Sequence, residues 1–280
     1  AHDAHELRDP DGGVKIAISN INNILAPALI GQDVLNQKEI DRIMLKLDGT
    51  ISKGKLGGNT MIGVSVACAK LAAKLSDMET YEYLRTLSEI KPSKSYPYLY
   101  MNLINGGKHA KNNLAFQEYH IVTLVSDIKE AVFLGNQIQN SLKDIILKEL
   151  GDESIVLGDE GGFAPKISDI RKPLEYLTLA IKENNLEGKV RLALDVASSS
   201  FYQNGLYQVD GKNITKEELM EIYNSLINDF NLLSIEDPFF EEDFESFHKL
   251  KWISNDFFVV GDDLTVTNNI LLKRAIKEDC

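Results

Sequence analysis

At 280 residues the chain is long enough for one large domain with a smaller companion. Lys and Arg number 30 against 42 Asp and Glu, a formal charge of −12, which argues against nucleic acid or an anionic membrane as the main partner. Two cysteines, Cys68 and Cys280, make no disulfide framework and point to a reducing cytoplasm, and no apolar run reaches membrane-spanning length.

In chain order, Val14, Ile18, Ile21 and Leu25 recur at helical spacing over 13–30, with Pro27 disturbing the end. Ile40, Ile43, Met44 and Leu47 predict a second helix over 36–47, and an Ala-rich helical stretch runs from Gly57 towards Leu87. Residues 1–91 therefore read as a helical unit, and 91–97, with two prolines and two serines, as a linker into a second unit at 92–280. There, 98–103 and 115–124 predict strands joined by a loop at 105–109. A helix over 126–150, the loop Gly158-Asp159-Glu160-Gly161-Gly162 and a helix to about 185 follow. Thr215 and Glu218 form a capping box ahead of the stripe Leu219, Ile222, Tyr223, Leu226, Ile227 and Phe230. The class is α/β, in the order strand, strand, helix, helix, then strand–helix repeats.

Three apolar runs end in carboxylates: 190–195 at Asp195, 232–237 at Glu236-Asp237 and 257–263 at Asp262-Asp263. Each has the length of a strand buried on both faces, and helices separate them, as in parallel βαβ units. In a barrel of such units the strand C-termini converge on one face, where active sites are built. Asp195, Glu236 and Asp262 gathered there would repel one another unless a divalent cation joined them, and oxygen ligands with room for water suit Mg²⁺. Glu118, in a strand, and Glu160, beside two glycines, add two carboxyls; where two lie close, one stays protonated and serves as a general acid. His2, His5, His120 and His248 have no motif around them and read as surface or structural. Asp237 and Asp263 read as orienting lysines or backbone, and Glu241-Glu242-Asp243 as a solvated helix start.

Eight stretches in one order carry a family resemblance. They are Leu47-Asp48-Gly49-Thr50, Leu56-Gly57-Gly58-Asn59, Asn105-Gly106-Gly107-Lys108-His109-Ala110, Gln117-Glu118, the run from Gly158 to Pro165, Leu194 to Ser199, Ser234 to Phe239 and Gly261 to Asn268. Over nearly its whole length the chain resembles the enolases, the phosphopyruvate hydratases. The resemblance implies a partial enolase-type (β/α) barrel preceded by the helical part of an α+β N-terminal domain. It implies a Mg²⁺-dependent lyase that converts 2-phosphoglycerate to phosphoenolpyruvate in the cytoplasm, with cell-surface exposure as a further setting. By position, Asp195, Glu236 and Asp262 match ligands of the tightly held Mg²⁺, the latter two also facing substrate. Glu160 matches the acid that assists departure of hydroxide, with Glu118 beside it; His109 and Gln117 match substrate contacts.

The resemblance also implies departures. The family's base is a lysine on a strand beyond Cys280, and a phosphate-binding arginine and serine also lie outside these residues, as does a three-stranded sheet before Ala1. The expectation is a chain truncated at both ends, weakly active or inactive as it stands, without the family's usual homodimer. Ser200 stands where the family usually carries glutamate. Two other readings compete: an acid-sugar dehydratase of the same superfamily, and a non-catalytic, plasminogen-type surface-binding protein. The second would use lysines in 201–207, and that stretch has none.

Overall fold

The computed structural model describes residues 6–88, 91, 96–110, 112–158 and 160–280, apart from the side chains of His109 and Glu153. Most of the expected linker at 91–97 lies outside these residues. The chain divides into two compact units, residues 2–92 and 93–280, with Ala1 grouped in the second.

The first unit is helical. α1 (Lys15–Asn20) runs through a π-helical turn at Ile21–Leu25 into α2 (Ala26–Leu29). Pro27 has no N–H to donate and its ring crowds the preceding turn, so the ladder widens there instead of simply ending. α3 (Gln37–Asp48) starts where the Asn36 side chain accepts from the Glu39 amide and ends at left-handed Gly49. The stretch expected to run on to Leu87 is two helices, α4 (Gly58–Leu75) and α5 (Thr80–Thr86). Asp77 takes a positive φ of 54° between them, and Glu79 and Glu82 form a capping box that restarts the helix. Leu25, Ile40, Met44, Leu56 and Met61 close one small core, with Cys68 packed against it.

The second unit is built on a five-stranded sheet of order β1 (Leu99–Asn105), β2 (Glu118–Thr123), β3 (Val190–Asp195), β7 (Ser234–Glu236) and β8 (Phe258–Val260). β1, β2 and β3 pair antiparallel; β3, β7 and β8 pair parallel. Around it lie α6 (Ile128–Leu150), α7 (Lys172–Glu183), α8 (Lys216–Phe230), α9 (Phe244–Lys251) and α10 (Asn269–Glu278). The sheet is open rather than a closed barrel. Arg191 ties three strands at their N-terminal ends, donating to the carbonyls of Asn231, Leu232 and Asp256 at 3.1, 2.7 and 3.1 Å.

The two faces of the sheet divide the labour. Tyr119, Ile121, Leu192, Leu194 and Ile235 join the main core, packed with helix residues such as Ile138, Leu142, Leu177, Tyr223 and Phe247. The opposite face carries the acids. The α8 capping box forms as expected, with Thr215 Oγ accepting from the Glu218 amide at 3.2 Å. Asp243 caps α9 by accepting from the Ser246 amide.

Three expectations change. β8 is not buried on both faces: it is the last strand of the sheet, and Phe258 and Val260 are exposed. The strand expected over 115–124 is shorter, and Asn105, expected in a loop, is the last residue of β1. A 3₁₀ turn at Ser198–Phe201 and a small antiparallel sheet of β4 (Tyr202–Gln203), β5 (Leu206–Val209) and β6 (Lys212–Ile214) lie between β3 and α8. Strands of two to four residues around Asn204-Gly205 and Asp210-Gly211 turns are too short for a periodic signal.

Phe247 is fully buried in the main core. Phe247→Ala should cost about 3–5 kcal/mol by cavity formation, read as a lower urea midpoint for the second unit with its m-value unchanged.

Candidate functional site

The strand ends place the acids by register. Glu118 pairs directly with Asp195, and Asp195 pairs with Glu236. Residues directly opposed in a sheet share a face, so three carboxylates stand in a row across β2, β3 and β7. Neighbouring groups hold two of them in place. Gln117 Nε2 donates to Asp195 Oδ2 at 3.0 Å, and the Ala197 amide donates to Asp195 Oδ1 at 3.1 Å. His120 Nε2 lies 2.8 Å from Glu118 Oε2, with both side chains almost wholly shielded from solvent.

Burial and like charge both press on this row. Burial raises the Asp195 carboxyl to about 6, with Glu118 adding to the rise against the Gln117 bond. Burial raises Glu236 to about 8, reinforced by Asp195, Asp237, Asp262 and Glu118. Such a cluster of hard oxygen donors fits a hard divalent cation such as Mg²⁺, which the acids' mutual repulsion would favour.

Among the described residues, the three carboxylates that lie within 4.8 Å of one another are Asp195, Glu236 and Asp237. Asp262, expected as the third ligand, is outside that group, although its charge acts on Glu236. Asp237 is already committed. Its Oδ1 accepts from the amides of Asp262 and Leu264 at 3.1 and 3.4 Å, and its Oδ2 from that of Asp263 at 2.9 Å. It thereby fixes the turn that carries Asp262. Burial still raises Asp237 to about 7, these amides working against the rise.

Glu160 lies exposed on its glycine loop, where Asn102 Nδ2 donates to its Oε2 at 3.1 Å. His109 belongs to the 3₁₀ turn Gly107–His109, and its side chain lies outside the described residues. Ser200 lines a cavity of about 590 Å³ with Gly107, Lys108, Leu114, Phe201 and Asp210. Sequence reasoning passed over His120, Asn102 and Asn105. The period-two alternation of a strand puts His120 on the face of Glu118, and that signal was legible; the two asparagines depend on an irregularity described below.

Residues 93–280 match the family described as "Enolase, C-terminal TIM barrel domain", and residues 1–84 match "Enolase, N-terminal domain". The chain belongs to the enolase family. The Methanocaldococcus jannaschii protein named "Enolase" is 43% identical over 282 residues, and that of Methanococcus aeolicus 42% over 284. Each alignment covers 99% of this chain and 66% of the relative, so this enolase-family chain spans just under two thirds of their length.

The raised carboxyls fix the sign of a pH effect. A folded-state pKa above the unfolded value means that the folded protein holds more protons between about pH 4 and 8, so stability falls as pH rises through that window. Scanning calorimetry of metal-free protein should show Tm falling from pH 5 to pH 8. Added Mg²⁺ should raise Tm more at pH 8 than at pH 5, and Glu236→Gln should flatten both trends. A Mg²⁺ increment independent of pH would contradict the assignment.

Proposed function

We propose that the protein to which this chain belongs dehydrates 2-phosphoglycerate to phosphoenolpyruvate, as a Mg²⁺-dependent carbon–oxygen lyase of glycolysis. The observation that carries this is the opposed pair Asp195–Glu236, half-buried, mutually repelling and flanked by Glu118, on a chain whose curated relatives are named enolases. Asp195, Glu236 and Asp262 would hold the ion. Asp237 accepts three backbone N–H groups and so serves the turn rather than the metal. A bound Mg²⁺ would offset the charge that gathers on the substrate carboxylate as the adjacent proton leaves.

The other roles fall to the chain's own side chains. Glu160 delivers a proton to the departing hydroxyl, which leaves as water. Glu118, held by His120, serves as the second carboxyl. Gln117 orients Asp195, and substrate binding falls to Gln117, His109, Glu236 and Asp262. A cytoplasmic location accompanies the glycolytic reading.

The test uses the protein expressed over its full reading frame, with Mg²⁺ and 2-phosphoglycerate, following phosphoenolpyruvate absorbance. Glu160→Gln should lower kcat by about 10²–10⁴-fold, the usual worth of a general acid, while Mg²⁺ binding by calorimetry persists. Asp195→Ala should abolish that binding heat; undiminished binding would remove Asp195 from the metal site.

A further inference from the structure

β1 and β2 keep a regular antiparallel register except at one place. Asn102 faces His120, Ile104 faces Tyr119 and Asn105 faces Glu118, so Leu103 is an extra residue. In an unbroken strand, residues three apart point to opposite faces. The bulge cancels that alternation. Leu103 and Ile104 both enter the main core, while Asn102 and Asn105 both lie on the face of His120 and Glu118. The bulged segment also has backbone groups to spare for another partner. Leu103 O accepts from the Phe163 amide and the Asn105 amide donates to Phe163 O, both at 2.8 Å. The end of the Glu160 loop is thus fastened to the bulge itself.

The asparagine amides lie against that loop. Asn105 is fully buried, and a Cβ added to Gly158 or Gly162 would come within 2.8 or 2.6 Å of its Oδ1. Both glycines bracketing Glu160 are therefore pressed onto this amide, neither atom of which has a hydrogen-bond partner among the described residues. Asn102 Nδ2 donates to Glu160 Oε2 at 3.1 Å, and its Oδ1 is buried without a partner among the described residues. An amide presents N–H and C=O side by side; a protonated carboxyl presents C=O and O–H. The open acceptor on Asn102 is the one a protonated Glu160 would fill.

We propose that Asn102 is a positioning residue for the acid Glu160, brought to the site face by the bulge at Leu103 and able to pair with the protonated carboxyl through both amide atoms. The proposal rests on the acid role given to Glu160 above. It adds a residue that acts through Glu160.

A double-mutant cycle tests it in the full-length protein with Mg²⁺ and 2-phosphoglycerate. Asn102→Ala should lower kcat by about 10–100-fold with KM little changed, the scale of a small misplacement of a catalytic group. In a Glu160→Gln background the same change should cost less than about 2-fold. An equal loss in both backgrounds, or a loss confined to KM, would show a merely structural role and overturn the proposal. The contact is also read without turnover, by NMR of protein labelled with ¹⁵N-asparagine. The Asn102 side-chain amide should exchange slowly in the wild type and lose that protection in Glu160→Ala. An amide spectrum indifferent to Glu160→Ala overturns the proposal even if Asn102→Ala does not fold. If Glu160→Gln keeps wild-type turnover, the acid assignment falls while the NMR result still decides the contact.

Discussion

The register that sets Glu118, Asp195 and Glu236 side by side is the constraint on which the rest of the second unit depends. Like charges in adjacent strands oppose pairing, so the sheet assembles against a local penalty. What offsets it lies on the other face, where Tyr119, Leu194 and Ile235, the residues next to the three acids, are all buried in the main core. The strands cannot slip by one residue to relieve the repulsion. A slip would turn that apolar set towards the acids' side and lose the core. Apolar packing thus imposes a charge arrangement that would not arise by itself.

Consecutive residues show two settings for a carboxylate. Asp237 is almost wholly buried and answered by backbone amides on both oxygens, so it behaves as part of the chain's own hydrogen bonding. Glu236 is more open, and acids press on it from several sides. The first arrangement builds a turn; the second leaves demand for a cation. Asp237 and Glu236 belong to one close group of carboxylates, yet their surroundings differ in this way.

Much of this was readable beforehand, and the limits have physical causes. The acid-tipped runs, the α8 capping box and the helical first unit are local patterns of period or sequence, and they survive folding. The split between α4 and α5 depends on Glu79 competing as a cap, a choice that Ala-rich propensity alone obscures. The exposure of β8 follows from its place at the edge, which strand hydrophobicity does not encode. The bulge at Leu103 exists only relative to a partner strand, so no reading of β1 by itself would put Asn102 and Asn105 on one face. His120 was within reach, because it needs only its spacing from Glu118.

Arg191 and Asp195 lie at opposite ends of β3, four residues or about 13 Å apart. One end is held by three carbonyls of neighbouring segments, the other by Gln117 and the Ala197 amide. A strand gripped at both ends has a fixed length. An insertion or deletion within it has nowhere to be absorbed, so length variation among related chains should collect in the hairpins and loops, while β3 keeps its residue count even where its side chains change.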